Sequence, residues 1–332
     1  MKRPIVVFII LALLGLIVDQ GFNPYIQRTF DLVLVNIILA MSLNLVNGYT
    51  GQFSLGHAGF MAIGAYTSAY LSTKFQAPVA IFPHLMYFCF YAFMGGVFAA
   101  AAGWLVGQPS LRLKGDYLAI VTLGFGEIIR VIILNNNALG GARGFFGIPS
   151  PSTISIGEFS LTPFYSFYLV SIFWVLVCFY VIYRLIQSTH GRAFMSIRED
   201  EIAADSIGIN TTQVKIRAFV LSSFFAGVGG SLFAHYSNFI APSSFSILMS
   251  INVVIMVVLG GMGSMTGPII AAVLISVLPE ALRPLQELTG QDYRMIIYSL
   301  ILIVLMLVRP QGLLGHQEVW HLWRKSRGKS PS

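Results

Sequence analysis

Ten apolar segments dominate this chain, near 4–18, 32–47, 56–72, 79–106, 117–136, 163–187, 214–236, 245–261, 266–282 and 294–308. A helix of roughly 20 apolar residues crosses the hydrocarbon core of a bilayer. In that medium a segment must satisfy its own backbone hydrogen bonds, which leaves helices or a closed barrel. Composition removes the soluble alternative. Only 10% of the 332 residues are charged and 56% are hydrophobic, against about 25% charged in an ordinary soluble domain. The expected fold is an all-α polytopic membrane protein of about ten transmembrane helices, with eight to about eleven as the working range.

Local features blur the count. The first segment is short and follows Lys2 and Arg3, as in a signal peptide. Its exit, Ile17-Val18-Asp19-Gln20, carries no small-x-small cleavage pattern, so it is expected to stay as a span. The fourth segment is long and carries Pro83 and His84 near its start. Basic residues set orientation, being retained on the cytoplasmic side. With ten spans and both termini cytoplasmic, fourteen Lys/Arg fall inside and five (Arg28, Lys74, Arg143, Arg283, Arg294) outside, with Arg130 within a span. The 188–213 loop and a basic tail at 309–332 are then cytoplasmic. No polar stretch is large enough for a separate folded unit, so 1–332 reads as one transmembrane domain.

The net charge of +7 does not indicate nucleic acid, because the basic residues are scattered through short loops. Cys89 and Cys178 sit in apolar runs and read as small core hydrophobes. The six histidines do not cluster at metal-ligand spacing. A Walker A motif is absent: Gly328-Lys329-Ser330 has Trp323 where the first glycine is required. Neither H-E-x-x-H nor G-x-S-x-G occurs.

Several motifs interrupt the apolar pattern. Asn47–Gly59 holds four glycines among Gln52, Ser54 and His57. Glycine permits unwound helix, and such backbone survives at membrane depth only when buried in protein or lining a wet cavity. Gln52, Ser54 and His57 are therefore candidates for a translocation path, although a tight turn followed by a small-residue packing face fits equally. Gly260–Pro268 shares G-x-x-G-x-x-[ST] with it, at Gly48/Gly51/Ser54 and Gly260/Gly263/Thr266. Glu127 and Arg130 stand three apart inside a span, on one helix face. They make a gate candidate or, on charge cancellation alone, the favoured structural ion pair. The glycine-rich Asn135–Pro149 loop reads as an external connector.

The cytoplasmic loop Gly191–Asn210 is the most informative. Ser196-x-x-Glu199 forms a capping-box pattern, acidic residues Glu199, Asp200 and Glu201 suit a first turn, and Gly208 suits a C-cap. The expectation is one short helix near 197–207, with Ala203, Ala204 and Gly208 as a close-contact patch. On the pattern alone, a solvated connector helix is the plainer reading.

Taken in order, Gly48–Gly59, Leu111–Tyr117 with Thr122–Arg130, Gly140–Pro149, Gly191–Asn210 and Val258–Gly267 resemble LivM-type permeases, membrane subunits of high-affinity branched-chain amino acid ABC importers. The resemblance covers about residues 30 to 310. Gly191–Asn210 is similar to the family's EAA-type coupling loop, though shorter downstream. It implies ATPase coupling through Arg198, Glu199, Asp200, Glu201, Ala203, Ala204 and Gly208. It further implies a second related permease subunit, two ATPase subunits carrying ATP and Mg²⁺, and an extracytoplasmic solute-binding protein. This chain would bind no cofactor, catalyse no reaction and reside in the bacterial inner membrane. The implied solutes are leucine, isoleucine and valine, with urea, short amides or other amino acids as alternatives. Asn44, Gln52, Ser54, His57, Thr122, Glu127 and Arg130, with Ser222 and Ser223, are the expected path or gate residues. Two other classes stay open on the residues alone. Glu127–Arg130 and the glycine breaks fit an ion-coupled secondary transporter or channel, whereas nothing positive supports a membrane-embedded enzyme.

Overall fold

The computed structural model describes residues 2–75, 81–113, 115–149, 154–156, 159–283, 294–309 and 311–315. A helix occupies each of the ten apolar segments. They are α1 (Lys2–Gly21), α2 (Pro24–Asn44), α3 (His57–Lys74), α4 (Ile81–Ser110), α5 (Asp116–Leu134) and α6 (Pro163–Ile186). After the loop helices α7 (Thr189–Glu199) and α8 (Glu201–Ser206) come α9 (Thr211–Ser237), α10 (Ile247–Gly260), α11 (Thr266–Ala281) and α12 (Arg294–Val308). Among the described residues, five helices are long and apolar enough to cross a membrane: Pro24–Tyr49, Leu85–Ser110, Tyr117–Leu134, Pro163–Ile186 and Thr211–Ser237.

Two differences from the sequence reading follow from local chemistry. The second segment begins well before residue 32, because Pro24 supplies a preset φ at the first helical turn and Asn23 precedes it in extended conformation. The fold is all-helical in class among the described residues, with one short extended element besides. Ile154–Ile156 and Phe159–Leu161 form a short antiparallel hairpin between α5 and α6.

Burial separates inner from outer helices. The Pro24–Tyr49 window is 78% buried and Thr211–Ser237 67%, whereas Tyr117–Leu134 is 22% buried. Helix α9 thus runs through the middle, against α2, α3 and α4. Lipid tails give helices no hydrophobic reason to associate, so close backbone approach at small residues does the work. A Cβ on Gly64 of α3 would collide with the backbone of Gly227 in α9. One on Gly230 would strike the Met61 carbonyl, and one on Gly95 of α4 would meet Gly64 at 2.8 Å. Ser231 closes the contact by donating to the Gly64 carbonyl at 3.0 Å. Large apolar side chains on the outer helices, such as Phe98, Leu105, Tyr117 and Ile132, remain exposed, as a lipid-facing surface requires.

Candidate functional site

Helix α2 does not end cleanly. It passes into one π-helical turn, Leu45–Tyr49, and then into non-helical backbone as far as Gly56. Gly51 adopts φ +67°, which L side chains rarely do. The unwound stretch is partly buried, with Gln52, Ser54 and Gly56 inside and Gly51 and Phe53 exposed, and its polar backbone finds partners within the chain. Thr50 Oγ1 donates to the Val46 carbonyl at 2.7 Å and the Gln52 amide to the same carbonyl at 3.1 Å. The Ser54 amide donates to Asn47 Oδ1 at 3.2 Å, and the Leu55 amide to Thr122 Oγ1 at 3.1 Å. The α3 N-terminus follows, with the Ala58 amide donating to Ser250 Oγ on α10.

The second glycine-rich stretch meets the first in space. Asn44 Nδ2 donates to the Ser264 carbonyl at 2.7 Å, and its Oδ1 accepts from the Gly263 amide at 3.0 Å. A Cβ on Gly48 would lie 2.5 Å from the Gly263 nitrogen. The shared G-x-x-G-x-x-[ST] pattern therefore marks two breaks packed against each other, between α2 and α3 and between α10 and α11.

A third motif joins them. Arg198, near the end of α7, reaches into this contact: its Nη1 donates to the Gly48 carbonyl at 3.1 Å, while Nη2 pairs with Glu199 at 3.1 Å. Its aliphatic stem packs on Gly51, and its guanidinium lies against Gly263. No sequence signal linked Arg198 to Gly48, 150 residues away.

The loop helix itself differs from expectation. It is two helices, α7 and α8, broken at Asp200 in extended conformation. The Ser196–Glu199 capping box does not form. Ser196 Oγ donates back to the Ala193 carbonyl inside α7, and Glu199 ends that helix. Asp200 is the actual N-cap of α8, accepting from the Ile202 and Ala203 amides at 2.8 and 3.0 Å. A carboxylate serves here because it accepts two orphan amides at the positive helix end. Gly208, at φ +86°, closes α8 with its amide on the Asp205 carbonyl and the Ile209 amide on that of Ala204, a Schellman arrangement. Ala204 does not belong to an outward patch; it is buried, while Ile202 (71% exposed), Ala203 and Ile207 (75%) face out. Glu201 pairs with Lys215 Nζ of α9 at 2.6 Å, the lysine side chain being 5% exposed.

The expected path residues divide by environment. Asn44, Gln52, Ser54, His57 and Thr122 are all buried. Asn44 and Thr122 have their hydrogen bonds inside the chain, and Thr122 also donates to the Ala119 carbonyl. His57 Nε2 lies 2.9 Å from Ser42 Oγ. Ser222 donates to the Ser42 carbonyl and Ser223 to that of Phe219. Gln52 differs, since neither Oε1 nor Nε2 of its side chain has a partner. Glu127 and Arg130 form the expected i,i+3 pair at 2.7 Å on half-exposed α5. The Asn135–Pro149 loop is fixed to the end of α9: Phe145 and Ile240 exchange backbone hydrogen bonds, and His235 Nδ1 lies 2.9 Å from the Pro149 carbonyl. Of the basic tail, only 309 and 311–315 lie within the described residues, where the Leu313 amide bonds the Leu259 carbonyl.

A bundle of apolar helices, interrupted twice at one glycine junction and gripped there by a loop helix, is the architecture of a multi-pass membrane protein. Residues 25–306 match the model of the branched-chain amino acid transport system / permease component family, and the chain belongs to that family. It is 41% identical over 307 residues to the high-affinity branched-chain amino acid transport system permease protein LivM of Escherichia coli (strain K12), covering 85% of this chain and 68% of that one. It is 24% identical over 314 residues to the corresponding LivH protein of Salmonella typhimurium (strain LT2), covering 91% and 99%. PsaBC from Streptococcus pneumoniae in complex with Fab overlays with TM-score 0.44 at 10% identity, over 94% of this chain and 98% of that one.

Proposed function

We propose that this chain is a transmembrane subunit of an ATP-driven importer of leucine, isoleucine and valine in a bacterial inner membrane. It spans the bilayer ten times as one domain, with both termini and the 188–213 loop in the cytoplasm. It pairs with a second, related permease, as the likeness to both LivM and LivH supports. Two ATPase subunits hold ATP and Mg²⁺, this chain binds no cofactor, and a secreted binding protein delivers the solute.

One observation carries the coupling role. Helix α8 presents Ile202 and Ile207 outward on a polar loop, and its base is anchored by Glu201–Lys215 to the central helix. Exposed aliphatic side chains on a rigidly held short helix suit an ATPase groove. Arg198, Glu199, Asp200, Ala203 and Gly208 complete that docking helix and its hinge, and Ala204 seats it on the bundle. Movement of α7–α8 acts on the Gly48 carbonyl through Arg198. The unwound 50–56 segment and the Gly261–Met265 turn offer the least resistance to such a push, having no continuous helical ladder.

The sparsely packed face of α5 lies against the second permease and the path. A charge facing hydrocarbon costs at least about 2.5–3.5 kcal/mol, so half-exposed Glu127 and Arg130 belong against protein or water. Gln52, Ser54, Asn44, His57 and Thr122 form the inner wall that moves with the junction.

The test is reconstitution of the complete complex with measurement of leucine uptake. Uptake should require ATP and the binding protein. Ile202→Glu and Ile207→Glu should abolish co-purification of the ATPases from a normally folded chain. Uptake by this chain alone, driven by an ion gradient without ATP or partners, would overturn the reading.

A further inference from the structure

At the end of the bundle opposite α7–α8, the first turns of α2 and α6 and the last turn of α9 diverge around a recess of about 340 Å³. Its wall carries Arg28 and Asp31 from α2, Thr162, Phe164 and Phe167 from the start of α6, and Asn238 at the end of α9. The spacing of Arg28 and Asp31 puts both on one helix face. Yet among the described ion pairs none joins them. Asp31 is 6% exposed and its Oδ1 has no hydrogen-bond partner. A buried carboxylate oxygen left unsatisfied is costly and calls for an explanation.

His235 adds to the wall and does not supply the missing donor. Its Nδ1 faces the Pro149 carbonyl and its Nε2 faces Ser68 Oγ, both at 2.9 Å. A carbonyl only accepts, so Nδ1 carries the proton. Both ring nitrogens are engaged.

The recess thus offers a buried carboxyl oxygen with no hydrogen-bond partner, the Arg28 guanidinium, and aromatic faces beside them. The α6 N-terminus opens on the same space at Thr162–Phe164, where Thr162 Oγ1 donates to Asp19 Oδ1 at 2.6 Å. We propose that this recess is an entry site for the zwitterion of an aliphatic α-amino acid. Asp31 receives the ammonium, Arg28 the carboxylate, and Phe164 with Phe167 the branched side chain. The assignment rests on the importer reading above and adds to it a first binding station within the permease.

The test uses the complete transporter in nanodiscs, without binding protein, and equilibrium binding of tritiated leucine. Competitors are leucinamide, which lacks the carboxylate, and 4-methylpentanoate, which lacks the ammonium. Wild type should bind leucine saturably and prefer it to both. Arg28→Gln, at an exposed position that folding tolerates, should erase the preference over leucinamide only. Asp31→Asn should erase the preference over 4-methylpentanoate only and weaken leucine binding about tenfold or more, the loss of one charge-assisted hydrogen bond. Uniform weakening of all three ligands, or displacement by glycerophosphoethanolamine instead of leucine, would overturn the assignment, the latter by making the recess a lipid-headgroup site. Wild type that imports leucine yet binds none without its binding protein would overturn the entry site and leave the importer reading intact. Failure to import leucine at all would overturn both.

Discussion

Replacing Arg198 with methionine separates force transmission from folding. Methionine keeps an aliphatic stem against Gly51 but removes the donor to the Gly48 carbonyl. That bond is 3.1 Å long, and the Arg198 side chain is 27% exposed. A hydrogen bond to a charged donor at such a site contributes about 1.5–3 kcal/mol. If the bond is what ties α7 to the unwound turn, its loss uncouples the two by roughly ten- to a hundredfold. The assay compares ATP hydrolysis by the reconstituted complex, with and without loaded binding protein, against leucine uptake. Basal hydrolysis and complex assembly should persist, while stimulation and uptake fall by that factor. Arg198→Lys should recover only part, because a single ammonium cannot serve Gly48 and Glu199 as the guanidinium fork does. An assembled Arg198→Met complex with wild-type uptake would refute the argument.

Charge reversal at Glu201 is expected to damage folding as well as coupling. Glu201→Lys strands the buried Lys215 beside a like charge, and breaking such a pair costs about 3–5 kcal/mol; thermal unfolding should show it, and Lys215→Met should restore much of the loss. Reversal at exposed Glu199 should leave the unfolding temperature unchanged. Gly64→Ala forces a methyl group into the Gly227 backbone and should cost about 1–3 kcal/mol, read as lower yield and earlier unfolding in detergent. Gly124→Ala in α5, where a Cβ meets nothing, is the matched control and should be neutral. Equal behaviour of the two would refute the close-packing account of α3 against α9.

Hydropathy alone located the ten helices, because each apolar run must close its backbone hydrogen bonds within itself and so needs no knowledge of its neighbours. The glycine breaks and the Glu127–Arg130 pair were legible for the same reason, being consequences of residues a few positions apart, whereas the single loop helix expected near 197–207 proved to be two. Capping was less legible. The pattern pointed to Ser196–Glu199 as the cap, with Asp200 in the first turn, whereas Asp200 in extended conformation caps α8. Ala204 and Gln52 stand out by residue type, but their orientation depends on what packs over them.

What tertiary structure alone decided are the long-range meetings: Arg198 on Gly48, Asn44 across the Gly263–Ser264 turn, Glu201 on Lys215, and Asp31 left without a partner beside Arg28. Each joins residues through space, or withholds a join that helical spacing would permit. Local periodicity fixes which face a side chain occupies. The helix that arrives opposite that face is set by the packing of the whole bundle, where small residues let some backbones approach and keep others apart.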